Sequence, residues 1–224
     1  MSFAGPYVST VDRRVRQVTA ALEDREITMG KLVADMAVSL DGYVADANDG
    51  IEELFGWYFG GDTPVPTPGG QVTFMVSEGS AKHMREGLER IGALIGGRRI
   101  FDLTQGWGGN HPLGVPVFIV SHSVPEGWPR EGSSVSFVDH LDDAVAQAKA
   151  AAGDKDVAIA TPDITRQLLD KKQLDEVSLN LVPVLLGEGI PCFANLTSSP
   201  IRLAGPEVTE GTGVTHLKYR VTYA

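Results

Sequence analysis

The stretch VAIATPDITRQLLDKK, Val157 to Lys172, decides how the chain is read. Its first four residues are small or branched and apolar, as in a buried strand. Ala160-Thr161-Pro162 makes a tight turn, and the run to Leu169 has helical spacing, with Asp163 placed to cap it. A strand that hands over to a helix in this way offers unpaired N–H groups to an anion. Two glycines at the turn would let a phosphate lie on the backbone. Thr161 adds a side chain instead, and Pro162 removes one donor and fixes its own φ. Two compensations are open: a hydrogen bond from the Thr161 hydroxyl, or a cis Thr161–Pro162 bond.

Working outward, strands and helices alternate from Lys31 onward. KLVADMAV (31–38) is a mostly apolar run suited to a strand covered on both faces, and it breaks at Ser39-Leu40-Asp41-Gly42. A helix is expected near Glu78 to Arg90, followed by IGALIG as a strand and GRRIFDLTQGW as another helix. VPVFIVS and VSFVD read as strands, and HLDDAVAQAKAAAG as a helix with Asp142 and Asp143 in its first turn and Gly153 as its stop. DEVSLNLVPVLLG alternates Val177, Leu179 and Leu181 against Ser178 and Asn180, the pattern of a half-buried strand. Leu217, Tyr219, Val221 and Tyr223 alternate with His216, Lys218, Arg220 and Thr222 after the EGTGV turn, which predicts an antiparallel ending. Residues 46–78, rich in Gly and Pro around Trp57, Tyr58 and Phe59, read as one long loop. The sum is an α/β fold whose mixed sheet is parallel in the middle and antiparallel at its C-terminal edge. Residues 29–224 form one domain; residues 1–28 are an N-terminal extension, helical in spacing or loosely held.

Composition narrows the partners. The 224 residues carry 29 acidic and 19 basic side chains, a formal charge of -10. That balance argues against duplex nucleic acid or an anionic membrane, both of which need a basic footprint. No run approaches the roughly 20 apolar residues of a membrane span. The single Cys192 excludes an intramolecular disulfide, and the N-terminus lacks a signal-peptide pattern, so cytoplasm is the expected location. His83, His111, His122, His140 and His216 show no metal-ligand spacing, and surface or turn roles are expected for them.

In open α/β sheets ligands gather outside the carboxyl ends of the parallel strands. Three turns could share that rim. Gly96-Gly97 permits close backbone approach, and Arg98 and Arg99 add positive charge at the start of a helix. Ser121, His122 and Ser123 place hydroxyls and an imidazole at another strand end. Ala160, Thr161, Asp163 and Ile164 form the third. Asp41 follows a buried-type strand, where a partly desolvated carboxylate could pass a proton; the alternative is an Asx turn that caps its own backbone before Gly42.

MAVSLDGYVA, GRRIFD, PVFIVSHSVP, AVAQAKAAAGDKDVAIA, RQLLDKKQLDEVSLNLVPVLLGEGI and GVTHLKYRV, in this order, resemble the dihydrofolate-reductase-like group, and within it stand-alone relatives of the reductase domain of riboflavin-biosynthesis deaminase-reductases. The resemblance spans Gly30 to Val221. It implies a three-layer dihydrofolate-reductase-like fold, NADPH as hydride donor, and a small heterocyclic or carbonyl substrate. It places Ala37 beside the nicotinamide, Gly97, Arg98 and Arg99 at the cofactor phosphates, Ser121 to Ser123 toward the adenosine, and Asp41 near the substrate as a catalytic residue. It also implies that VPVLLGEG shapes the pocket and a homodimer contact. Relatives carry Gly-Gly where this chain has Thr161-Pro162. A second function is therefore open: a nucleotide- or metabolite-binding homologue with weakened or lost NADPH use.

Overall fold

Strand β1 (Leu32–Ser39) is the axis of the fold, and its burial pattern says why: every side chain except Asp35 is buried. A computed structural model describes residues 30–223; the expected extension over residues 1–28 lies outside the described residues. After β1 come β2 (Tyr43–Ala45), the short helix α1 (Glu52–Phe55), a 3-10 turn over Gly56–Phe59, and the hairpin β3 (Thr63–Pro66) and β4 (Thr73–Val76). The long loop expected over 46–78 is thus corrected. Leu54, Trp57, Val65 and Val76 are buried in one cluster, and their spacing through Gly- and Pro-rich sequence hides the periodicity that would announce it.

Helix α2 (Glu78–Arg90), strand β5 (Ile91–Gly97) and helix α3 (Arg98–Leu103) follow, then β6 (Val117–Val120), β7 (Val135–Val138), helix α4 (Leu141–Ala152), β8 (Asp156–Ile159) and helix α5 (Pro162–Asp170). The chain ends with β9 (Glu176–Val182), β10 (Ile190–Pro191), β11 (Arg202–Gly211) and β12 (Val214–Thr222). Eight strands form one sheet in the order β11-β12-β9-β1-β8-β5-β6-β7. Pairing is parallel from β9 to β7 and antiparallel where β12 meets β9 and β11.

Alternation along β1 divides the molecule into layers. Leu32, Ala34, Met36 and Val38 enter a core with Leu141, Ala144 and Ala148 of α4 and Ile164 and Leu168 of α5. Ala37 faces the opposite side, with Trp57 and with Ala81 of α2, and Phe101 of α3 packs on Leu94, Ile119 and Ala158 nearby. Helices therefore cover both faces of the sheet.

Three local readings change. Helix α3 stops at Leu103, short of the expected Trp107, and Gln105 to Gly109 all have positive φ, a left-handed turn that ends the helix. Strand β9 lies between β1 and β12 in the sheet, and Ser178 and Asn180, expected on an exposed face, are buried. His216, placed by alternation on the polar face of β12, is fully buried under α2.

Candidate active site

The carboxyl ends of β5, β6 and β8 open into one cavity of about 1360 Å³ that continues beneath α2 to the middle of β1. Ala37, Gly97, Arg98, Arg99, Ser121, His122, Ser123, Ala160, Thr161, Asp163 and Ile164 all line it. Parallel pairing brings these residues, up to 127 positions apart in sequence from Ala37 to Ile164, to one cavity.

Every arginine on that rim has a carboxylate partner. Arg98 Nε lies 2.8 Å from Asp102, and its Nη1 reaches the Ser123 hydroxyl at 3.2 Å. Arg99 holds Asp49 at 2.9 Å, and Arg166 bridges Asp163 and Asp170. The pairs hold the guanidinium groups in place at the cavity mouth, where an anion would compete for them.

At the third turn Thr161 is extended, with φ of -138° and ψ of 142°, so its conformation makes no demand for glycine. Its bond to Pro162 is trans, and Pro162 occupies the first turn of α5, where a missing N–H costs nothing within the helix. Thr161 itself is the N-cap residue but makes no side-chain cap. Asp163 does not cap the helix as expected: it sits one residue inside, and its carboxylate accepts from Arg166 and Gln167. The Thr161 hydroxyl is buried without a hydrogen-bond partner, 3.7 Å from where a side chain on Gly97 would begin. Trp57 Nε1 and Thr165 Oγ1 are buried without a partner in the same way, and of the three residues Thr161 and Trp57 line the cavity.

The inner half of the cavity was not legible in the sequence beyond one sign, the lone carboxylate in the apolar run KLVADMAV. Asp35 projects from β1 into the cavity, between Ala158 of β8 and Ser178 and Asn180 of β9. Asn180 Nδ2 donates to its Oδ1 at 2.8 Å. Enclosure by the cavity walls raises the Asp35 pKa, against the pull of nearby His83 and of hydrogen bonds from Asn180 and Ser178. His83 of α2 is lowered, chiefly by burial, with Asp35 acting the other way. Phe55, Tyr58 and Phe74 form a tilted aromatic wall, with ring centroids 5.1 Å apart for Phe55–Tyr58 and 4.4 Å for Tyr58–Phe74. Burial, and then Asp35, push the Tyr58 hydroxyl pKa upward, so it stays a neutral donor.

Asp41 stands apart from this wall. Its carboxylate is exposed and accepts from the Ser39 hydroxyl at 2.6 Å, Gly187 N–H at 2.7 Å and Leu186 N–H at 3.1 Å. Those bonds, the one from Ser39 foremost, lower its pKa. It clamps the β1–β2 turn to the segment after β9, so the VPVLLGEG stretch is tied to the end of β1 through this carboxylate.

No family model and no curated protein matches the chain. Solved structures do. A candidate riboflavin biosynthesis protein from Shewanella sp. PV-4 aligns with a TM-score of 0.62 at 27% identity, over 86% of this chain and 99% of that one. A deaminase/5-amino-6-(5-phosphoribosylamino)uracil reductase from Thermotoga maritima aligns at 0.57 and 11% identity, over 87% of this chain and 57% of that longer one. Dihydrofolate reductase from Enterococcus faecalis, in complex with NADP(H) and RAB-propyl, aligns at 0.51 and 15%, over 87% and 98%. With the strand order, these neighbours show that the chain has the dihydrofolate-reductase-like fold, the fold of the riboflavin biosynthesis protein, the uracil reductase and the dihydrofolate reductase it aligns with.

Proposed function

We propose that the protein is a reductase that uses NADPH to reduce a small heterocyclic or carbonyl substrate. The observation that carries the reading is one continuous cavity, with a phosphate-suited rim at one end and a polar floor under aromatic rings at the other. The rim fits the cofactor by its own chemistry. Gly97 and the N-terminus of α3 offer backbone N–H groups beside Arg98 and Arg99. Ser121 and Ser123 offer hydroxyls, and the Thr161 hydroxyl would be a further hydrogen-bond donor to the cofactor's phosphates. That hydroxyl supplies a hydrogen bond at the position where the backbone lost a donor to Pro162.

NADPH, when bound, supplies the hydride. The chain's residues do the rest: Ala37, the small residue on β1, leaves room for a flat ring, and the walls formed by Phe55, Tyr58 and Phe74 keep water off it. Asp41, from outside the cavity, fixes the strand end that carries Ala37. Titrating the protein with NADPH while following nicotinamide fluorescence tests the reading. Saturable binding in the micromolar range is expected; no saturation up to millimolar cofactor favours a homologue that has lost hydride transfer. A homodimer belongs to the same reading, and light scattering that finds a monomer at micromolar concentration removes it.

A further inference from the structure

We propose that His111 and Trp107, on the loop between α3 and β6, form a further binding point on the cavity wall, where His111 Nε2–H donates to an uncharged carbonyl oxygen of the substrate. That the occupant belongs to the substrate rests on the reductase reading; the binding point itself stands without it.

The loop is pinned from two sides. Gly106 packs so tightly that a Cβ on it would stand 2.6 Å from Phe101 and 2.7 Å from Trp128. Its neighbour Trp107 is held at φ 51° and ψ 31°, a left-handed conformation that bulky side chains rarely adopt. Outliers of this kind persist where the surrounding structure over-determines them, and they gather at ligand sites. On the other side the β3–β4 turn grips the loop: Gly69 N–H donates to the Pro112 carbonyl at 2.9 Å, and Gln71 Nε2 to that of Asn110 at 3.0 Å. Trp107 and His111 thus meet edge to face, with ring centroids 4.6 Å apart. Both line the cavity, together with Leu103, Pro112 and Leu113.

Hydrogen bonding leaves His111 one arrangement. The Leu113 backbone N–H donates to Nδ1 at 3.1 Å, and an N–H can only donate, so Nδ1 carries the lone pair. Burial lowers the ring pKa to about 4, which leaves His111 neutral with its one proton on Nε2. Among the described residues nothing accepts that proton. Nor is Nε2 sealed in the interior, as the unpaired Thr161 Oγ1, Trp57 Nε1 and Thr165 Oγ1 are. Burial is the whole cause of the shift and no charged group adds to it, so a carboxylate or phosphate would lose its water here without meeting a cation. Arg98 and Arg99, at the cavity mouth, are held by Asp102 and Asp49. A carbonyl oxygen sheds less water and needs only one donor, and Trp107 and Leu103 offer apolar surface to the carbons around it. The wall therefore selects an uncharged carbonyl over a phosphorylated or carboxylate group.

Three six-membered rings test this on the full chain: cyclohexanone, methylenecyclohexane, in which CH₂ replaces the oxygen, and cyclohexanecarboxylate, which is charged. In ¹⁵N NMR spectra the His111 ring, assigned by its loss in His111→Phe, is expected to carry its proton on Nε2. Cyclohexanone should move that N–H signal saturably, and cyclohexanecarboxylate should leave it in place at the same concentration. The two uncharged rings differ in their own hydrophobicity, so the ratio of their affinities is compared between proteins: it should shift about tenfold against the ketone in His111→Phe. Matched thermal melts check that the variant folds, and the wild-type spectra do not depend on it. A proton on Nδ1, a signal unmoved by cyclohexanone, an equal response to the carboxylate, or an unchanged affinity ratio in a folded variant would each overturn the inference. NADPH binding is measured alongside. If the cofactor fails to bind while cyclohexanone moves the His111 signal, the reductase reading falls and the binding point stands; if NADPH binds and the signal stays unmoved, the inference falls alone.

Discussion

Thr161 combines a local cost in the fold with the cofactor contact proposed for it. Its buried hydroxyl has no partner, a state that costs on the order of 1–3 kcal/mol. Thr161→Val keeps the shape and removes the hydroxyl, so two opposite outcomes are expected: an apo melting temperature equal to or above the wild type's, and NADPH affinity lower by roughly tenfold in a fluorescence titration. A loss of affinity without the gain or neutrality in stability would mean that the hydroxyl is bonded in the empty protein. His216 gives a second prediction, in pH. Its folded-state pKa of about 4 lies below the ordinary 6.5, so the unfolded chain binds the extra proton between those values. Stability is then complete above about 6.5 and declines as pH falls toward about 4. His111, also pushed by burial to about 4, acts with the same sign. Urea melts across that window should show a shallower decline for His216→Gln, with the His111 part left.

At the scale of elements, the Ser80–His216 and Ser77–Thr212 hydrogen bonds require α2 to sit close to the β11–β12 hairpin. Gly79 makes this possible: a Cβ there would stand 2.3 Å from the Glu210 carbonyl oxygen, a backbone atom that cannot step aside. Gly79→Ala should therefore lift α2 from the hairpin, destabilise by about 1–3 kcal/mol in denaturant melts, and break the Ser80–His216 bond, seen as a change in the His216 ring ¹⁵N shifts. Most elements were legible because their periodicity was local. The α4 helix shows its acidic first turn and its Gly153 stop, and β8 shows a continuous apolar run. The β3–β4 hairpin was not, since its buried residues are too sparse to outweigh Gly and Pro. The alternation of β9 misled for a different reason: Ser178 and Asn180 look solvent-facing until the cavity and α2 cover that face.

For the whole molecule, cofactor binding to the folded state alone should appear as stabilisation. At a hundredfold excess of NADPH over its Kd, about 2.7 kcal/mol is added, which for a chain of this size raises the melting temperature by about 5–10 °C. Scanning fluorimetry with and without NADPH measures it. Among the described residues no helix is long and apolar enough to cross a membrane. By itself the sequence determined the strands and helices of the central sheet and its mixed sense, because strand periods, helix stops and strand-end turns are properties of neighbouring residues. Only the tertiary structure decided that Asp41 is a clamp outside the cavity, that His216 is buried, and that Asp35 faces the ring wall. Those depend on which strands lie side by side and what covers them, and β1, β9 and β12, joined across 180 residues of chain between Asp35 and Thr215, are neighbours only in space.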